Sequence, residues 1–476
     1  MKFTLFRKTS LLLLCLSLLL CCGCSGREIH QDQELIDLQT YQPETIYIGA
    51  SLPLSGEHGS LGKDWQVAME LAADIINNSH DIDWDIARSK GISGFGNAQV
   101  ELVFSDCESI ETKTAAAADS LLEQGVVAMV GAGRSEYTAE VGKRCRMADV
   151  ALVSGASNSS ALTDGATYTF GQWFNRIAPN PEMESNVFFS YIKHLNQTQN
   201  AGIKTIGVAY QDTVHSQRTL DVFYEQAEAA GLEVLLSVGY AANPENVTLE
   251  TSRIVTAAPD VIAHIGGGEL SSFIRGYAAA QYKPKLMLCY FGGYEDRVLA
   301  ETVGELDISY VAGLSITPPR KEDVQATEEE LNKTPSIQLP SAGNNPTPPP
   351  ALSNTGLLPP AAGSSSPATV SHNLIPIGEF NEIFAYIDKL YQARTGDRMT
   401  DEALLEFASV IVLAQAIGKC GTTDREVLQQ VLKENSFDAP YLNSKKISFD
   451  ENGQNVVMSG YLTTITKNGN YLQIFK

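Results

Sequence analysis

Residues 126–163 read VVAMVGAGRSEYTAEVGKRCRMADVALVSGASNSSALT. Two short apolar runs, 126–130 and 150–153, are rich in β-branched residues and too short for helices. A helix-length polar segment separates them. Buried parallel strands have this form. Each run stops in small and hydroxyl residues: Gly131, Gly133 and Ser135 after the first, then Ser154, Gly155, Ala156, Ser157 and Asn158 after the second. Open parallel sheets bind ligands outside the carboxyl ends of their strands. Residues without bulk leave backbone N–H groups and hydroxyls free to face a small anion or carboxylate. The stretch reads as half of a ligand cradle. The plainer alternative is that Gly and Ser only punctuate strand-to-helix turns.

The rest of the chain extends the pattern on both sides. A strand at 46–51 leads through a Pro/Ser/Gly loop to a helix at 62–78, with Trp65, Ala68, Leu71, Ala72, Ile75 and Ile76 on one face. A strand at 99–104 and a helix at 115–122 complete the first α/β unit. Residues 170–177 turn a corner, and after Pro179 and Pro181 the alternation begins again. Strands are expected at 205–210, 232–238, 261–265, 286–290 and 310–316, with helices between them. Helices follow at 380–395, 401–419 and 424–434, then strands at 446–449, 461–466 and 471–475. Each strand–helix–strand step implies a right-handed parallel crossover. The fold class is α/β. Residues 320–375, rich in Pro, Ser, Gly and Ala, show no periodicity and are expected to form a disordered insertion.

The 476 residues exceed one domain of usual size. The net charge of -22 argues against nucleic acid or an anionic membrane surface as partner, since both require basic patches. Lys2, Arg7 and Lys8 precede an apolar run at 11–20 that is too short to span a bilayer, the form of a secretory signal. The run ends Leu20-Cys21-Cys22-Gly23-Cys24, which resembles a bacterial lipobox with Cys24 as the acylated residue; Cys21 stands where most lipoboxes carry Leu. Residues 1–24 are read as signal peptide and lipobox, and 25–44 as a tether.

In order and spacing, several stretches resemble the branched-chain amino-acid-binding family of type I periplasmic proteins, which serve ABC importers. They include IYIGASLPLSGEHGSLGKDWQVAMELAADIIN, VVAMVGAGRSEYTAEV, ALVSGASNSSALT, the WFNRIAP step and the closing KKISFDENGQ. The resemblance implies two Rossmann-like lobes joined by three crossing segments, with a ligand cleft between them. Lobe 1 is expected at 45–178 plus 376–445, and lobe 2 at 179–315 plus 446–476. Ser135, Ala156, Ser157 and Asn158 then fall where the family grips a ligand carboxylate, and Leu61 where it often places an aromatic. The other wall departs: Pro181 stands at a usual aspartate, His215 at an aromatic and Gly268 at a tyrosine. Glu295, or Asp296, is the nearest carboxylate for a ligand ammonium. Half of the usual ammonium set is missing, so an amide, a carboxylate without an amino group and an unusual amino acid are equally open. Cys107 matches a family cysteine whose usual partner position holds Arg134, which leaves its pairing open, with Cys145 one option.

The dinucleotide fingerprint fails after Gly131 and Gly133 because position 136 is Glu. GxSxG, HExxH and GxxxxGK[ST] are absent. The seven histidines are scattered without metal spacing. No catalysis, cofactor or metal is expected. The expected function is that of a lipid-anchored solute-binding protein at the cell envelope, delivering a small polar ligand to an ABC permease. The alternative is a sensing or scaffolding surface lipoprotein on the same fold.

Overall fold

In a computed structural model, strand β1 (Thr45–Leu52) lies inside a five-stranded parallel sheet of order β2-β1-β3-β4-β5. The described residues are 44–241, 244–267, 269–290, 299, 306–333, 380–465 and 471–475. Cys24, Gly268, Glu295 and Asp296 lie outside them, as does 334–375 of the expected insertion. The other strands of this sheet are β2 (Gln99–Asp106), β3 (Ala128–Gly131), β4 (Leu152–Ser154) and β5 (Phe174–Arg176). Four helices fall between them: α1 (Gly59–Asn77), α2 (Asp85–Arg88), α3 (Glu111–Glu123) and α4 (Ser135–Ala148). Alternation assigns the faces. Ile48, Ala50, Ala128, Val130, Ala151 and Val153 share one apolar core, while Met129 and Leu152 belong to another with α3 and α4 residues. The corner at 170–177 holds a fifth strand, because Phe174–Arg176 pairs in parallel with β4.

The chain then builds a second sheet from β6 (Thr205–Gln211), β7 (Glu233–Tyr240), β8 (Val261–Ile265), β9 (Leu286–Cys289) and β10 (Val311–Ser315). Its helices are α5 (Pro181–Gln199), α6 (Val214–Ala229), α7 (Thr248–Ala257) and α8 (Leu270–Ala279). Asn180 caps α5 by accepting the Met183 N–H at 2.9 Å, and Pro181 fits the first turn, where no N–H is needed.

Two sequence boundaries are corrected. Residues 321–333 are not part of a structureless insertion; they form helix α9 (Lys321–Lys333). Its start is anchored by Arg320, whose Nε meets Asp388 at 2.8 Å, and by Asp323, which accepts the Tyr471 N–H at 3.0 Å. The second correction concerns 446–449, expected in lobe 2. After α10 (Glu382–Thr395), α11 (Asp401–Cys420) and α12 (Arg425–Glu434), strand β11 (Ser436–Ala439) pairs antiparallel with β12 (Lys445–Ser448). Phe437 and Ile447 pack into the core of the first sheet. The second sheet resumes only with β13 (Tyr461–Ile465) and β14 (Tyr471–Phe475), giving the order β14-β13-β10-β9-β8-β6-β7.

Helix α11 is long and apolar enough to cross a membrane, yet Ala403 to Ala414 are buried in the first lobe without exception. It is that lobe's core helix. Near its start, Asp401 accepts the N–H groups of Ile316 and Thr317, both at 2.8 Å, and so fixes one passage between the sheets. Cys107, Cys145 and Cys289 are free and buried, and Cys420 is free and half-buried, so Cys107 and Cys145 are not bridged.

Candidate functional site

The carboxyl ends of β3 and β4 face those of β6 and β8 across a cleft enclosing ≈ 730 Å³, part of it open to solvent. From the first lobe it is lined by residues 133–136, residues 156–159 and Glu402. From the second come Gln211, Thr213, His215, Ser216, Thr219, Ile265, Gly266, Gly267 and Tyr290. Ser135, Ala156, Ser157, Asn158 and His215 are thus brought together. Leu61 is not among the lining residues; it sits on the first turn of α1, 40% exposed.

The two first-lobe loops are tied to each other. Ser157 Oγ donates to the Gly133 carbonyl at 3.0 Å and pairs with Thr138 Oγ1, whose oxygen accepts the Ala132 N–H at 3.2 Å. Ser135 Oγ accepts the Ser159 N–H at 3.2 Å. The Ser157 hydroxyl therefore braces the cradle instead of reaching into it. Ser135 keeps its O–H to donate, and the Asn158 amide has no hydrogen-bond partner among the described residues. Gly133 is required: with φ +77° its Cβ would lie 2.0 Å from the Trp65 ring.

Sequence reasoning missed a charged pair in this wall. Arg134 Nε meets Glu136 Oε1 at 2.6 Å, each side chain 27% exposed. Burial alone would raise the Glu136 carboxyl, but the Arg134 charge and hydrogen bond hold it below the usual carboxylate range. The signal was in the sequence, as opposite charges on either side of Ser135.

On the facing wall, His215 Nδ1 lies 3.1 Å from Ser159 Oγ, and its ring stacks on Tyr168 at 6.2 Å between centroids. Burial, helped by Arg134 and opposed by Glu136, pushes His215 below its ordinary value, so the ring is neutral at neutral pH. Arg218 of α6 reaches Asp164 at 3.3 Å. Tyr290 is hydrogen-bonded to Ser185, and burial pushes its hydroxyl far up, so it is a neutral donor. No cluster of three metal-ligating side chains occurs among the described residues. The arrangement can hold a small molecule through neutral donors and one guanidinium–carboxylate pair.

Known proteins share this fold. Residues 45–341 match the model of the family described as Periplasmic binding protein. The chain is 24% identical over 303 residues to Leu/Ile/Val-binding protein homolog 8 of Brucella abortus (strain 2308), covering 61% of this chain and 71% of that protein. Among solved structures, the leucine-binding protein LivK of Thermotoga maritima MSB8 superposes with a TM-score of 0.64 at 16% identity, covering 90% of this chain and 99% of its own. A solute-binding protein of an ABC transporter from Rhodopseudomonas palustris BisB5, in complex with 3,4-dihydroxybenzoic acid, gives 0.61 at 15% identity, covering 91% and 97%. The matched residues span both walls of the cleft, and the chain belongs to the periplasmic binding protein family, with the type I fold.

Proposed function

We propose that this protein is a lipid-anchored, extracytoplasmic solute-binding protein that captures a small polar ligand and delivers it to an ABC permease. One observation carries the reading: Ser135 and Asn158 from the first lobe and Gln211, Thr213 and His215 from the second converge on one cleft. A ligand touching both walls gains more contacts when the lobes are together, and so biases the hinge toward closure. The ligand is an amino acid, an amide or a carboxylate. Leucine and 3,4-dihydroxybenzoic acid, bound by relatives, share a carboxylate, which suits the Ser135 hydroxyl and the Asn158 amide. Anchoring rests on the lipobox-like segment ending at Cys24; stable attachment takes more than one acyl chain.

The test is a thermal-shift screen of the detergent-solubilised protein against amino acids, amides and short carboxylates. Ligand at a hundred times its dissociation constant stabilises the folded state by about 2.7 kcal/mol. No shift across the panel removes the small-ligand reading. Anchoring is checked separately: Cys24→Ala releases the protein from the membrane fraction, and retention there refutes the lipid anchor.

A further inference from the structure

Beneath the cleft floor lies a carboxyl group that no ligand contact explains. Glu406, on the second turn of α11, is fully buried. Its Oε1 accepts the Ala156 N–H at 3.0 Å. Its Oε2 is buried without a hydrogen-bond partner among the described residues. Helix and floor touch with no spacer: a Cβ on Gly155 would lie 2.6 Å from Oε2 and 2.6 Å from the Leu405 carbonyl. An ionised carboxylate with one bare oxygen is expensive in such a place. Burial first, and the charge of Glu402 second, raise Glu406 to about 7, against the pull of the Ala156, Gly155 and Gly133 amides.

We propose that Glu406 is a positioning residue for ligand capture: its carboxyl holds the Ala156 backbone from below, and its proton is taken up or released according to the charge bound above. The capture half rests on the solute-binding reading; the hold on Ala156 does not. Few other charges face this group. Glu402 shares its helix and lines the cleft, Arg134 and Glu136 are paired at the entry to α4, and residues 154–158 hold no titratable side chain. The buried residues of α1, among them Trp65, Ala68, Met69 and Ala72, are all uncharged. Ionised Glu406 therefore repels a carboxylate over Ala156 and attracts an ammonium.

The experiment follows the Ala156 amide in full-length, detergent-solubilised protein carrying 15N-alanine, from pH 5.5 to 8.5, with Ala156→Gly assigning the resonance. The amide shifts with a midpoint near neutrality in the native protein and stays flat in Glu406→Gln, which keeps an acceptor but cannot ionise. A flat native resonance, or an equal titration in Glu406→Gln, overturns the proposal. A second arm uses 4-methylpentanoate, which is leucine without its amino group, beside L-leucine. The affinity for 4-methylpentanoate rises by up to about tenfold from pH 8 to pH 6 in the native protein and is constant in Glu406→Gln. An equal pH dependence in both proteins overturns the linkage. Failure of both probes to bind excludes leucine-shaped ligands and leaves the solute-binding reading to the wider panel, while the amide titration by itself decides the positioning role.

Discussion

Arg176 donates from Nε to the side-chain oxygen of Gln454 at 2.8 Å, joining residues 278 apart in sequence. Gln454 lies where the chain approaches its last passage to the second sheet, and its own amide donates to the Ala178 carbonyl at 3.0 Å. Arg176 reaches the other way too. Its Nη2 donates to Thr163 Oγ1 at 2.8 Å and its Nη1 to the Ser159 carbonyl. Ser159 in turn holds Ser135 through its N–H and His215 through its hydroxyl. One fully buried cation thus connects the hinge, the cradle and the facing wall. Burial lowers it to about 10, which still leaves it charged at neutral pH.

Arg176→Leu is expected to destabilise the fold by about 3 kcal/mol or more, because the Ser159 carbonyl and Gln454 are left buried and unpaired. Gln454→Leu alone costs less. In a double-mutant cycle followed by urea unfolding, the coupling between the two exceeds about 1 kcal/mol. Additive effects would show that the contact does not join hinge to cradle.

Ser135→Ala and Asn158→Ala are expected to weaken ligand binding by about 1–2 kcal/mol each, a factor of 5–30, with little change in melting temperature for Asn158→Ala. Ser135→Ala also removes the acceptor for the Ser159 N–H, so it lowers stability as well. Calorimetric titration with whichever panel compound binds gives the numbers. Unchanged affinity in both variants would remove these residues from the site.

Much of this was legible because strand and helix periodicities leave a direct trace. The runs at 126–130 and 150–153 became β3 and β4, and the glycines after them mark real close approaches. What escaped reading depends on contacts far apart in sequence. Ser157 looked like a ligand donor, yet its hydroxyl is used by Gly133 and Thr138. Ala156 looked like a bare amide, yet Glu406, 250 residues away, takes its N–H. Strand β11 and the ordered helix α9 were missed for the same reason: Phe437 packs into a distant core, and α9 is pinned by the Arg320–Asp388 pair rather than by an apolar stripe of its own.

The clasp between the lobes is expected to loosen in mild acid. The folded value of His215 lies below the unfolded 6.5, so the neutral ring's contribution is complete above pH 6.5 and is lost as pH falls through the folded value. The neighbouring Arg218–Asp164 pair is largely exposed on the arginine side and adds under about 1 kcal/mol. Spin-label distances between α4 and α6 should lengthen from pH 7 to pH 5 in the native protein. In His215→Gln they should not change with pH. An equal response in both would show that another group opens the cleft.

Glu406 also makes a prediction about stability that needs no ligand. Its folded value of about 7 lies above the carboxylate value of 4.5 in the unfolded chain. Between those limits the folded state binds the extra proton, so stability falls as pH rises. At pH 8 the shift amounts to a penalty of up to about 3 kcal/mol. Glu406→Gln removes that penalty while keeping an acceptor for the Ala156 N–H. The variant should therefore match the native protein near pH 4.5 and exceed it at pH 8. Urea unfolding at the two pH values measures the difference directly. A variant less stable than the native protein at pH 8 would mean that the ionised carboxylate strengthens the cleft floor, contrary to the burial of its bare Oε2.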